Sequence, residues 1–260
     1  MAGNPSNWLR HSSMALGAAC LAAVLHAHAA DRFDAAVANP GRSAADVKRD
    51  ALDHPADILR LTGIGPGMRI ADVLAGDGYY SELASYVVGP KGKIFMINNA
   101  AFDHWSEGPL EARLKSGRLG NVEHETLDLD HMNLAPESLD AVFLIKVYHD
   151  LYWVDAGGAD WPKIDTRSVL DQLAHALKPG GVLLLVDHSA KAGSGSTAAS
   201  ALHRIEESYA ITDFESRGLK VVAKSDLLRR PDDARDQISY KGPLLGKTDR
   251  FVLVFRKNAR

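Results

Sequence analysis

The sequence predicts a doubly wound α/β fold, and three observations carry that reading. Between Met68 and Val186, apolar runs of strand length alternate with helical stretches five times. The run Ile70 to Leu74 passes through Ala75-Gly76-Asp77-Gly78 into a helical start at Tyr79, the strand, glycine turn and helix order that opens a ligand crevice in such sheets. Val182 to Val186 is continuously apolar, as expected of a central parallel strand covered on both faces.

The chain of 260 residues is 46% hydrophobic and 24% charged, enough for one large core. A net charge of −3 gives no basic field for a polyanion, so nucleic acid is not an expected partner. Its start differs from the rest. Met1 to Ser13 is polar with Arg10, Met14 to Leu25 is small and apolar, and Ala27-His28-Ala29 has the small-x-small pattern of a cleavage site. Residues 1–29 therefore read as a signal peptide, and the protein as exported, in the periplasm. The apolar run is shorter than the about 20 residues that span a bilayer, so no stable membrane span is expected after cleavage. Cys20, the sole cysteine, lies in this leader, which leaves the mature chain without disulfide or thiol nucleophile.

Residues 30–64 read as an N-terminal helical cover. An irregular lead-in from Asp31 to Arg42 is broken by Asn39-Pro40-Gly41; Ser43 then caps a helix that breaks near Pro55 and resumes through Ile58, Leu59 and Leu61. The α/β domain occupies 65–260. Its strands are expected at Met68–Leu74, Lys93–Ile97, Val122–Leu127, Asp140–Ile145 and Val182–Val186. Helices are expected at Tyr79–Val88, around Glu107–Ser116 and at Asp165–Leu177, where Lys178-Pro179-Gly180-Gly181 ends the last. A loop at Ser194-Gly195-Ser196, a helix over Ser200–Ser216 and strands at Leu219–Lys224 and Arg250–Arg256 complete the chain, the last two pairing antiparallel.

Gly76 and Gly78 lack the Cβ atoms that would keep a ligand from backbone N–H groups at a helix start. Asn98 follows Gly76 by 22 residues, where nucleoside-binding sheets place the group that bonds ribose hydroxyls. Asp128 ends the third strand, where a carboxylate accepts from an exocyclic amine.

With these residues in place, the sequence resembles the class I S-adenosylmethionine-dependent methyltransferases from about Gly65 to Arg256. The resemblance rests on Ala71-Asp72-Val73-Leu74-Ala75-Gly76-Asp77-Gly78, on Asp128 placed twelve residues before Asp140, and on Ala176-Leu177-Lys178-Pro179-Gly180-Gly181-Val182-Leu183. Tyr148-His149-Asp150, Asp187-His188-Ser189-Ala190, Leu202-His203-Arg204-Ile205 and Gly246-Lys247-Thr248-Asp249-Arg250-Phe251 look like a bacterial group of methyltransferases with leader peptides. The resemblance implies a Rossmann-like, seven-stranded, mostly parallel sheet with an antiparallel C-terminal strand. It implies S-adenosylmethionine as cofactor, held by Asp72, Ala75, Gly76, Asp77, Gly78, Asn98, Asp128 and Leu129. Two positions depart from the family: Leu74 stands where the first glycine is usual, and Asn98 where an acidic residue is commoner.

The sulfonium donor is already activated, so a methyltransferase mainly positions its reactants and needs a base only if the acceptor loses a proton. Candidates for that role are Tyr148, His149, Asp150, His188 and His203, with Asp187 and Arg204 beside them. Each also has a structural reading, such as helix capping by Asp150. No His-x-x-x-His spacing sets two histidines on one helical face, so no metal site is expected; no Gly-x-Ser-x-Gly elbow suggests a hydrolase. The expected function is methyl transfer to a small-molecule acceptor. The alternative is an exported, non-catalytic nucleoside or small-ligand binding protein of the same fold.

Overall fold

The computed structural model describes Met1, residues 31–155 and residues 161–259. The expected signal peptide, Met1 apart, lies outside the described residues. No described helix is long and apolar enough to cross a membrane.

Seven strands form one sheet. They are β1 (Arg69–Val73), β2 (Lys93–Asn98), β3 (Val122–Thr126), β4 (Leu139–Ile145), β5 (Leu177–His188), β6 (Leu219–Ser225) and β7 (Arg250–Lys257), in the order β3-β2-β1-β4-β5-β7-β6. β1 to β5 run parallel, while β7 lies antiparallel between β5 and β6. The Rossmann-like α/β class and the antiparallel end are thus as the sequence predicts. The strand order reverses beside β1, which places a crevice at the carboxyl ends of β1 and β4.

Alternate strand residues feed two cores because strand side chains point to opposite faces. Ala71, Val73, Val142, Leu144, Leu183 and Leu185 join one; Ile70, Ala141, Phe143, Val182, Leu184 and Val186 join the other. α4 (Tyr79–Val88) packs on the second face and α6 (Thr166–Ala176) on the first. α5 (Ala100–Lys115), capped by Asn99, starts before the expected Glu107.

Two expectations need correction. The lead-in is not wholly irregular, since Asp31 accepts from the Phe33 N–H and starts a short helix α1 (Arg32–Val37) with Phe33 and Ala36 buried. With α3 (Pro55–Arg60) it covers α4, and α2 (Ala44–Asp53) meets the start of α4 where Asp50 accepts from the Tyr79 hydroxyl at 2.5 Å. The helix expected over Ser200–Ser216 is two helices, α7 (Ala199–Leu202) and α8 (Glu207–Glu215). They separate because the Ile205 N–H donates to the His188 carbonyl and the Ile205 carbonyl accepts from the Ala190 N–H, both at 2.9 Å, pulling the chain back to the end of β5. His203 turns the corner with φ of 48°.

Candidate functional site

A cavity of about 480 Å³ opens at the carboxyl ends of β4 and β5. Phe102, Trp105, Trp153 and Tyr240 give it aromatic walls, and Lys146, His149, Asp150, His188, His203 and Ser239 supply polar groups. A larger, shallow cleft of about 660 Å³ lies at the opposite edge of the sheet, beside the turn before β2. Among open α/β folds the carboxyl end is the ligand end.

Four elements bring the polar groups together. Lys146 leaves β4 with φ of 64°, which turns the chain into the single helical turn His149–Tyr152. Asp187 and His188 end β5, and His203 comes from the corner after α7. Within this group, His149 Nδ1 lies 2.7 Å from Asp187 Oδ1, and the His149 backbone N–H donates to Asp187 Oδ2 at 2.8 Å. Nε2 of the same ring is 3.2 Å from Asp150 Oδ1, which His203 Nδ1 also approaches to 3.2 Å. His188 Nδ1 meets Thr248 Oγ1 at 2.7 Å. The His203 ring packs between Trp153 and Tyr240, with centroids 5.1 and 4.6 Å away.

These contacts drive the histidines apart in charge. Burial by itself would lower the His149 pKa, but the Asp150 and Asp187 carboxylates outweigh it and push it up to about 10. Burial, with positive neighbours at His149 and Lys146, holds His188 well below the ordinary histidine value. The Asp150 carboxyl, which burial would raise, is kept low by His149 and His203. Lys146 is pushed down to about 8, first by burial and then by Arg49 and Arg250, against the pull of Asp53. Its Nζ lies 3.1 Å from Asp53 Oδ2; Asp53 also accepts from Arg49 at 2.7 Å and from Arg250.

Tyr148 stands outside this group. Its ring is fully buried and its hydroxyl donates to Asp213 at 2.7 Å, on the side that packs against Phe214. Burial first, then the Tyr152 and Asp213 charges, push its pKa far above the phenol range. The structure thus places Tyr148, expected among the catalytic candidates, away from the cavity lining, where it ties the turn after β4 to α8.

At the end of β1 the backbone is left-handed at Leu74, Gly76 and Gly78, with φ of 54°, 61° and 83°. Leu74 thus keeps the glycine-like shape without being glycine, at about 1 kcal/mol of backbone strain. The two glycines serve different ends. A Cβ on Gly78 would sit 2.5 Å from Met96 Sδ and 3.2 Å from Arg113 Cδ, so this glycine permits close packing. A Cβ on Gly76 would meet only Ser106 Oγ, at 3.5 Å.

The other expected cofactor residues are spread around this turn. Asp72 is buried behind it, accepting from Ser81 Oγ at 2.6 Å, and so joins β1 to α4 rather than facing the crevice. Asn98 is also buried: Oδ1 accepts the Gly76 N–H and Nδ2 donates to the Gly76 carbonyl, each at 2.9 Å, while Nδ2 donates as well to Asp103 at 2.8 Å. The amide, expected as a ribose ligand, is engaged by the chain itself through Gly76 and Asp103. Asp128 is exposed, 2.9 Å from His131 Nδ1 and accepting from the Asp130 N–H, and Leu129 is buried beside it. Ala75 and Asp77 remain at the turn, the Asp77 carbonyl accepting from Arg113 Nε at 2.5 Å. The turn thus leaves Gly76 open to a ligand while the Asn98 side chain is taken up by the chain itself.

Sequence reasoning passed over Lys146 and the aromatic walls. Lys146 directly follows the apolar run of β4, a strand-end position that could have singled it out. Trp105 and Trp161 stack at 5.7 Å with an interplanar angle of 8°, and each approaches Trp153. Tryptophans in otherwise polar stretches were the available signal for that wall.

No family model and no curated protein matches the chain. Solved structures do match. One is a SAM-dependent methyltransferase from Aquifex aeolicus, at 19% identity over 81% of this chain and 97% of that one, with a TM-score of 0.55. Another is the [4+2]-cyclase SpnF, at 16% identity over 86% of each chain, also with a TM-score of 0.55. A third is a Haemonchus contortus phosphoethanolamine N-methyltransferase, solved with S-adenosylhomocysteine, at 14% identity over 80% and 53% and a TM-score of 0.56. A cyclase beside methyltransferases shows that fold alone does not fix the reaction. The chain has the class I methyltransferase fold, with a histidine-bearing cavity at the carboxyl ends of β4 and β5.

Proposed function

We propose that this protein is an S-adenosylmethionine-dependent methyltransferase acting on a small molecule, and that it is exported to the periplasm by its leader. The supporting observation is the cavity at the ends of β4 and β5, where aromatic walls meet His149, His188 and His203. Its volume of about 480 Å³ suits a small acceptor rather than a polymer. The donor, when bound, supplies an activated methyl group; the turn Ala75-Gly76-Asp77 is the part of this chain that would hold it.

The chain's own residues then orient the acceptor and receive its proton. Phe102, Trp105, Trp153 and Tyr240 exclude water from the reacting group. His188 lines the cavity and takes up a proton as the acceptor loses one, while Asp187 and Asp150 hold the His149 ring in place. Lys146, anchored on Asp53, offers a cation to an anionic group of the acceptor.

Calorimetry of the purified protein with S-adenosylmethionine and S-adenosylhomocysteine tests this reading. Micromolar binding of either is expected; absence of heat for both overturns it. The engaged Asn98 amide favours the second reading, a binding protein that keeps the fold without the donor, and the same titration decides between them. Sequencing the N-terminus of protein from fractionated cells tests export, and an intact Met1 in the cytoplasm refutes it.

A further inference from the structure

The geometry points to a divalent transition-metal site formed by His149, Asp150 and His203, for an ion of the Zn²⁺ or Fe²⁺ class. One ligand atom from each residue lies within 4.8 Å of the other two. The His149 Nε2 and His203 Nδ1 atoms each stand 3.2 Å from Asp150 Oδ1. Ligands about 2.0–2.1 Å from one ion, at tetrahedral or octahedral angles, are about 2.9–3.4 Å apart. Both ligand pairs with known spacing already fall in that range.

Three further observations favour a bound ion over a chance cluster. The first is the support behind the ring: His149 Nδ1 lies 2.7 Å from the fully buried Asp187 carboxylate, so an ion that displaces the Nε2 proton meets a nitrogen already aimed at Asp150. A carboxylate behind a histidine is the usual outer support of a metal ligand. The second is access. The ligand residues line the cavity of about 480 Å³, so coordination positions not filled by protein face the space where a small molecule enters. The third is Ser239 in the same cavity wall, whose buried Oγ finds no hydrogen-bond partner among the described residues. A water or acceptor oxygen on the ion is a suitable partner.

Two histidines and one carboxylate suit Zn²⁺, Fe²⁺ or Co²⁺ rather than Mg²⁺ or Ca²⁺, which prefer oxygen alone. In the sequence, His149, His188 and His203 with Asp150 or Asp187 form a plausible ligand set, but without His-x-x-x-His spacing no metal site is expected, because the ligands come from separate segments instead of one helical face. Such an ion would grip an acceptor through oxygen or nitrogen, but the site does not rest on the methyl-transfer reading and is tested without the donor.

The test uses untagged protein stripped with a chelator and titrated with Co²⁺ while visible ligand-field absorption is recorded, followed by Zn²⁺ competition. One equivalent of Co²⁺ is expected to bind and to be displaced by Zn²⁺. His203→Ala and Asp150→Ala should each weaken binding at least 100-fold, Asp187→Asn by 10- to 100-fold through the outer support, and His175→Ala on the exposed side of α6 not at all. Circular dichroism checks that each variant is folded. If His203→Ala fails to fold, His203→Gln replaces it. A wild-type protein with no saturable Co²⁺ absorption, or a folded His203 variant that binds as tightly as wild type, overturns the site. A null result with S-adenosylmethionine leaves this outcome unaffected.

Discussion

Asn98 grips the Gly76 peptide from both sides, accepting its N–H and donating to its carbonyl at 2.9 Å each. The side chain at the end of β2 thus fixes the turn at the end of β1. Asn98→Asp replaces a donor by a carboxylate facing the Gly76 carbonyl and Asp103, and should destabilise by about 1–3 kcal/mol. Urea unfolding checks this. If the turn alone holds the donor, the same variant weakens S-adenosylmethionine binding instead of improving it.

Gly76 and Gly78 should respond differently to alanine. Both pay the left-handed penalty of about 1–2 kcal/mol, but only Gly78→Ala drives a Cβ into Met96 and Arg113. We expect Gly78→Ala to lower the unfolding midpoint markedly more than Gly76→Ala. Equal losses would mean that Met96 moves aside without cost.

Asp72 makes stability depend on pH near neutrality. Burial, only partly opposed by the Ser81 hydrogen bond, raises its carboxyl to about 7 in the folded protein. The folded state therefore keeps a proton that the unfolded chain releases near pH 4, so stability falls as pH rises from about 4 to 7 and levels off above. The full effect is on the order of 4 kcal/mol. Asp72→Asn should flatten that slope in denaturation curves measured across this range.

Asp53 acts in the opposite sense. Burial would raise its carboxyl, but Lys146, Arg49 and Arg250 hold it far below the usual carboxylate range. Its stabilisation is present above about pH 4 and is lost as pH falls below that value. Asp53→Ala leaves buried cations without their shared partner and should cost about 3–5 kcal/mol. Breaking the exposed Glu111–Lys115 pair should cost no more than about 0.5 kcal/mol.

The parts legible in the sequence were those set by short-range pattern. Tyr79–Val88 has the boundaries its glycine turn and Gly89-Pro90 stop predict, and Val182–Val186 lies in the buried strand its apolar run predicts. The site was legible by position but not by orientation. Strand-end logic placed Asn98 beside the turn, yet only the fold shows its amide engaged by Gly76 rather than open to a ligand. His203 does lie beside His149, their ring centroids 5.3 Å apart, but its left-handed corner depends on Ile205 bonding to β5, a contact outside any local window. The Asp53 cluster draws on positions 49, 146 and 250, and no periodicity joins those.

That cluster also bears on the order of assembly. Arg250 opens the last strand and is separated from Asp53 by 197 positions, while Lys146 on the same carboxylate lines the cavity. Contacts so distant along the chain form late, because the intervening loop must close first. Asp53, which anchors Lys146 at the cavity, gains its Arg250 partner only once β7 lies between β5 and β6. A chain still emerging from the ribosome holds His149, His188 and His203 before it holds the strand that completes their surroundings.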